Sequence, residues 1–189
     1  MPMNIFHRML CRSSMWERIS ATSIVPWALA DVDLGAGALE IGPGYGANIG
    51  SLLGRTPALT GLEIDPALTE RLRTRHGDSM TVVQGDGAAM PFPDNSFDAV
   101  VCFTMLHHVP SRRQQDALFA EALRVLRPGG VFAGSDGLDS TAFRLMHLGD
   151  TCLPVPPDTA EDRLAGAGFG KIGIATKGTS FRFRATKSS

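Results

Sequence analysis

The sequence predicts an α/β fold: an open, mostly parallel sheet with helices on both faces and an antiparallel hairpin at the C-terminal side. Three observations predict it. After residue 35, short apolar runs bounded by Gly, Pro or Asp alternate with helical patterns. Such alternation implies parallel strands joined by right-handed crossovers. A glycine-rich turn directly follows the first of these runs, and near the C-terminus two period-2 runs flank a Gly-containing turn.

The strands are expected at Ala38–Ile41, Ala58–Glu63, Met80–Gln84, Phe97–Phe103 and Val131–Ser135, each short and largely apolar. Gly42, Gly44 and Gly46 make the turn after the first, and a helix is expected to begin near Tyr45. Asp65-Pro66 gives the next helix, Ala67–Arg75, an N-cap and a proline at its first position. Ser111 and Gln114 form a capping box ahead of Leu118, Phe119, Ala122, Leu123 and Leu126, one apolar stripe that Pro128-Gly129-Gly130 should end. Thr159–Ala167 reads as a helix stopped by Gly168, and Ile172, Ile174, Thr176, Phe181 and Phe183 alternate about Lys177-Gly178 as the hairpin. Outside the alternation, residues 1–34 carry Ile5, Phe6, Met9, Leu10, Trp16, Ile19 and Trp27, enough for one or two amphipathic helices. Residues 136–157 carry Phe143, Leu145, Met146 and Leu148 before a Pro-rich turn. Both segments cover the sheet, form a lid over the strand ends, where open α/β sheets place their ligands, or do both at once. The 189 residues suit a single domain: cap 1–34, core 35–135, lid 136–157, helix and hairpin 158–189.

Composition removes several function classes. The net charge is −1, so no basic field would gather nucleic acid or anionic lipid. Cys11, Cys102 and Cys152 are too far apart for a CxxC pair, and no Cys/His run has metal-ligand spacing, so no metal is expected. An odd count of scattered cysteines suits a reducing compartment. With no apolar block after a basic start and no run near 18 apolar residues, a cytoplasmic chain without stable membrane insertion is expected.

Four stretches carry chemistry. In Glu40-Ile41-Gly42-Pro43-Gly44-Tyr45-Gly46 a strand ends in an acid and enters a turn whose glycines let backbone N–H groups approach a ligand. Alone, this turn also satisfies the looser dinucleotide fingerprint through Gly42, Gly44 and Ala47. Glu63, at the end of the second strand, is placed to accept hydrogen bonds from both hydroxyls of a ribose, whereas Asp65 caps the next helix. Asp86-Gly87, past the third strand, suits either an exocyclic amine or an ordinary Asx-turn. Finally, Phe97-Asp98-Ala99-Val100 leads to Phe103, Thr104, His107 and His108 at the same sheet edge.

In this order, with Leu106-His107-His108 and Arg124-Val125-Leu126-Arg127-Pro128-Gly129-Gly130, these stretches resemble the class I S-adenosylmethionine-dependent methyltransferases, closest to their small-molecule branch. The resemblance covers about residues 36–135 and extends to the hairpin. It implies a Rossmann-like seven-stranded sheet whose last strand lies antiparallel between the fifth and sixth. It implies S-adenosylmethionine as cofactor, with Glu40 and Gly42, Pro43, Gly44, Tyr45 and Gly46 around its methionine part. Glu63 would hold the ribose, Ile64 would pack on the adenine, Asp86 and Gly87 would meet the adenine edge, and Phe103 would lie beneath the cofactor near the sulfonium, with Thr104 also among the cofactor-binding residues. Many members carry Asp where this chain has Glu63.

Methyl transfer from a sulfonium needs mainly alignment and exclusion of water, with a base only where the nucleophile must lose a proton. His107 and His108 are the base candidates, and a plain structural contact is the other reading of each. Phe143, Met146, Leu148, Trp16 and Trp27 suggest a hydrophobic small molecule as acceptor at O, N or C. Two rival readings stay open: an NAD(P)-dependent oxidoreductase, against which the missing Tyr-x-x-x-Lys pair counts, and a non-catalytic cofactor-binding homologue acting through a partner. The sequence does not fix the oligomeric state.

Overall fold

The structure, a computed structural model, describes residues 4–189, apart from the side chain of Phe6. The first three residues of the expected cap, and the expected place of Phe6 on its apolar face, therefore lie outside the described residues. The cap holds three short helices, α1 (Ile5–Cys11), α2 (Ser14–Ile19) and α3 (Val25–Ala28), with a π-helical turn at Ser20–Ile24. The core then runs β1 (Gly37–Ile41), α4 (Ile49–Leu53), β2 (Ala58–Glu63), α5 (Pro66–His76), β3 (Thr81–Gln84), β4 (Phe97–Phe103), α6 (Arg112–Val125) and β5 (Leu126–Gly137). It is followed by α7 (Thr141–Met146), α8 (Pro157–Gly166), β6 (Gly170–Lys177) and β7 (Ser180–Thr186).

The seven strands form one sheet in the order β3-β2-β1-β4-β5-β7-β6. The first five pair in parallel, and β7 runs antiparallel to both β5 and β6. The implied place of the last strand, between the fifth and sixth, is the observed one. Side chains alternate along the central strands into two buried layers. Leu39, Ile41, Val100, Cys102 and Phe132 join Phe119 and Leu164 on one side, while Ala38, Val101, Phe103 and Ala133 join Val25, Leu29 and Ile49 on the other. Fully burying each of the larger side chains contributes about 1.5–3 kcal/mol, so both helical layers are anchored to the sheet. None of the described helices is long and apolar enough to cross a membrane.

The expected caps are in place. Asp65 Oδ1 accepts the N–H groups of Ala67 (2.8 Å) and Leu68 (3.1 Å), and Ser111 Oγ accepts that of Gln114 (3.2 Å). Two local expectations are corrected. The helix after the glycine turn begins at Ile49 rather than near Tyr45, because Gly44 and Gly46 sit at φ 58° and 87°, outside the right-handed helical region. Leu126 leaves the helical stripe: its backbone is extended (ψ 142°) and it opens β5, paired with Phe97. Its side chain still reaches the same buried layer as Leu118 and Phe119.

Candidate active site

β1 is flanked by β2 on one side and β4 on the other, so the connections from their C-terminal ends diverge and leave a crevice. A cavity of about 410 Å³ occupies it. Its floor is built from the segments that follow the strands: Gly42–Tyr45 after β1, Glu63–Asp65 at the end of β2, Phe103–Met105 at the end of β4, and Gly137 closing β5. Leu10 and Trp16 wall it from the cap, and Phe143 and Met146 from α7.

Of the predicted site residues, Gly42, Pro43, Gly44, Tyr45, Glu63, Ile64, Phe103, Thr104, His107 and His108 line this cavity. Glu40, Gly46, Asp86 and Gly87 do not. Asp86 instead closes an Asx-turn, its Oδ1 accepting the Ala88 N–H at 2.8 Å, and Gly87 is packed against Ile41 and Leu118. Of the apolar residues predicted to face an acceptor, Trp16, Phe143 and Met146 line the cavity. Leu148 is 72% exposed, and Trp27 lies under the Arg182 guanidinium, 5.6 Å from its ring centroid. Tyr45 stands between the guanidiniums of Arg12 and Arg71, each 5.7 Å from its ring centroid. Thr104 holds φ at 49°, rare for a β-branched residue and a strained conformation of the kind found at ligand sites. Cys102 is buried core, as expected, with its thiol pushed well up by burial.

Two carboxylates shape the side of the cavity near the glycine turn. Glu63 is held from two directions, Oε2 accepting the Gly44 N–H and Oε1 the Asp65 N–H, both at 3.0 Å. Burial raises its carboxyl above the ordinary value, and those backbone donors oppose the rise. Glu40 lies one residue behind the wall and is wholly buried. Its Oε1 accepts from Asn48 Nδ2 at 2.6 Å, and the Asn48 side-chain oxygen accepts from Ser20 Oγ in the π-helical turn. Its Oε2 is buried with no partner among the described residues.

Burial, opposed by the Asn48 bond and reinforced by Glu63, pushes Glu40 up from 4.5 to about 7. Between those values the folded chain keeps a proton that the unfolded chain has released. Stability is therefore greatest below about pH 4.5 for this group and falls as pH rises through 7, by up to about 3 kcal/mol. Glu40→Gln is expected to flatten this part of the profile, which urea denaturation between pH 5 and 8 would measure.

These residues fit the cofactor implied by the sequence. Gly42 (φ 66°) and Gly44 (φ 58°) need glycine's freedom, and the space where a Cβ on Gly44 would point is open for 4 Å. A cation-bearing ligand entering over that turn would meet Glu63, with the buried Glu40 carboxyl behind the wall and linked to the cavity through Asn48, which lines it.

The same cavity is also lined by histidines. His107 is buried, and its Nδ1 lies 2.5 Å from Asp136 Oδ1. Asp136 Oδ2 accepts the His107 backbone N–H (2.9 Å), and Oδ1 also accepts that of Gly137 (2.7 Å). With Asp136 acting as acceptor throughout, Nδ1 carries the ring proton and Nε2, which has no partner among the described residues, carries the lone pair. His108 is pushed down to about 3 by burial and by the neighbouring His107 and His7, and burial lowers His147. Sequence reading missed Asp136, His7, His147 and Asp150.

The family profile described as "Methyltransferase domain" matches residues 39–134, just over half of the chain. A fatty-acid O-methyltransferase of Mycolicibacterium smegmatis is 42% identical over 113 residues, covering 58% of this chain and 39% of that protein. A sterol 24-C-methyltransferase of Gibberella zeae is 35% identical over 129 residues, covering 59% and 33%. The chain thus spans between a third and two fifths of the length of these curated relatives. Among solved structures, an S-adenosylmethionine-dependent methyltransferase from Thermotoga maritima superposes with a TM-score of 0.76 at 20% identity, covering 97% of this chain and 99% of that one. The profile match and the shared fold together place the chain in the methyltransferase domain family, among the class I S-adenosylmethionine-dependent methyltransferases.

Proposed function

We propose that the chain transfers a methyl group from S-adenosylmethionine to a proton-bearing oxygen, nitrogen or carbon nucleophile on an apolar small molecule. One observation carries this reading: the Gly42–Tyr45 turn with Glu63, and the His107–Asp136 pair, face one cavity. The bound cofactor would supply an activated methyl group on a sulfonium. The Gly42–Tyr45 backbone would seat the methionine end, Glu63 would take both ribose hydroxyls, Ile64 would lie on the adenine, and Phe103 and Thr104 would face the sulfonium. Glu40 would act from behind through Asn48 and its unpartnered oxygen.

His107 Nε2 would take the acceptor's proton, and Asp136 would hold the ring in the required tautomer and stabilise the imidazolium. His107 is preferred over His108 as the base because only His107 has a carboxylate behind it. Trp16, Phe143 and Met146 would wall off water and accept an aliphatic or aromatic body, which makes the cap and the 136–157 segment lids. The fatty-acid and sterol acceptors in the names of the two relatives agree with such walls. A cytoplasmic setting and the absence of a nucleic-acid partner belong to the same reading.

Isothermal calorimetry against S-adenosylhomocysteine and NADH, followed by transfer of labelled methyl to fatty acids, sterols, phenols and amines, tests it. Binding of S-adenosylhomocysteine with label appearing in an apolar acceptor is the expected result. Binding of NADH alone would favour the oxidoreductase, and cofactor binding without transfer to any acceptor would favour the non-catalytic homologue.

A further inference from the structure

Four of the five histidines in the chain come together in space, although they lie in three separate segments. His7 comes from α1, His107 and His108 from the turn after β4, and His147 from the residue that ends α7. Their rings are in mutual contact, with centroids 4.5 Å apart for His7 and His147 and 5.2 Å for His7 and His108. One ring nitrogen from each of His7, His108 and His147 lies within 4.8 Å of the other two.

The hydrogen bonds of these three rings follow one pattern. His7 Nδ1 lies 2.9 Å from Asp150 Oδ2, His108 Nδ1 lies 3.1 Å from the Thr151 carbonyl, and His147 Nδ1 lies 2.7 Å from the Phe143 carbonyl. A carbonyl or carboxylate oxygen can only accept, so each Nδ1 carries its ring's proton and each Nε2 is left with a lone pair. Metal-bound imidazoles are held in this way, with an oxygen on the far nitrogen fixing both tautomer and ring direction. Asp150 is itself anchored: its carboxylate accepts from the Asn4 backbone N–H and lies 3.3 Å from Asn4 Nδ2. As plain core, the cluster would be unfavourable. His147 Nε2 is buried with no partner among the described residues, and an unsatisfied buried polar atom costs about 1–3 kcal/mol.

We propose that His7, His108 and His147 bind one divalent d-block cation of the zinc type through Nε2, with a coordination position left open to the cavity. Three neutral imidazoles suit zinc and its neighbours rather than magnesium or calcium, which take oxygen ligands. Zn–N bonds of about 2.0–2.1 Å in a tetrahedron separate the nitrogens by roughly 3.3 Å, so binding draws α1 and the end of α7 slightly inward onto the 106–108 turn. His7, His108 and His147 all line the cavity, and the proposal assigns the fourth position to that side. Metal-ligand spacing in sequence gives no sign of this site, because its residues are more than 100 and about 40 positions apart. The inference does not rest on the methyl-transfer reading.

The test is titration of the chelator-stripped chain with Zn²⁺ alone, by calorimetry and thermal melting, together with the visible absorption of the Co²⁺ form. One equivalent should bind and raise Tm by about 5–10 °C at a hundredfold excess over Kd, and Co²⁺ should show tetrahedral d–d bands. His7→Ala, His108→Ala and His147→Ala should each weaken binding at least about 100-fold, and Asp150→Asn, a change in a positioning residue, about 10–100-fold. Asp150→Asn leaves every imidazole in place, so it decides the matter where a truncated ring unfolds the cap. No stoichiometric binding by the unaltered chain, or affinity unchanged in Asp150→Asn and in the folded alanine variants, would overturn the proposal.

Discussion

Changing His107 to Gln is expected to lower the single-turnover rate of methyl transfer by about 10²–10⁴-fold while leaving the Kd for S-adenosylhomocysteine within about threefold. The reason lies in what His107 touches. It packs against Phe143 and His147 and is bonded to Asp136, not to the Gly42–Tyr45 turn or Glu63, so in the proposed function it bears on the acceptor rather than on the cofactor. Gln is close in reach and can still donate to Asp136, but its amide is no base. Asp136→Asn should cost a comparable factor by a different route. An amide NH₂ facing Nδ1 would favour the tautomer whose Nε2 carries the proton, the wrong form for proton abstraction. Asp136 also receives the His107 and Gly137 backbone N–H groups, so circular dichroism and melting must show that the variant remains folded. Unchanged turnover in His107→Gln would mean that alignment of the acceptor suffices and no base is used.

The second large effect concerns the cofactor alone. Glu63→Ala is expected to raise the Kd for S-adenosylhomocysteine by about 10²–10⁴-fold. In the proposed function it removes two charge-assisted hydrogen bonds to a ribose, each contributing about 1.5–3 kcal/mol. The geometry favours the upper part of that range. The carboxylate is already oriented by the Gly44 and Asp65 N–H groups, so little side-chain entropy remains to be lost when a diol arrives. Glu63→Gln keeps the shape and one acceptor oxygen, and should cost nearer tenfold. Calorimetry gives both values directly, and the thermal shift produced by saturating ligand should shrink in the same order. A Kd within threefold of the unaltered chain would place the sugar elsewhere.

Much of this was legible along the chain, and what was missed has identifiable causes. β2 and β4 fall on the expected residues because alternating apolar runs bounded by Gly, Pro and Asp encode a strand locally. Glu40 and Glu63 could be singled out as acids at the ends of apolar strands. Asp136 carries the same signal, but β5 was expected to stop at Ser135, one residue short, so its acid went unread. The start of α4 was misplaced because a run of glycines shows where φ can be positive without showing that Gly44 and Gly46 both use that freedom. His7 and His147 had no signal at all. Periodicity reports which face of a helix is apolar, not where a short helix docks, and these two residues meet across 140 positions of sequence.

The position of β7 has a consequence for biosynthesis. It is an interior strand: β5 pairs with it from Val131↔Thr186 to Gly137↔Ser180, and β6 touches the rest of the sheet only through it. A nascent chain can therefore assemble the five parallel strands as they leave the ribosome, but β6 has no neighbour to join until residue 186 has emerged. Until then the open edge of β5 offers unpaired amides and carbonyls to any passing strand, which makes that interval the one in which a chaperone would matter most.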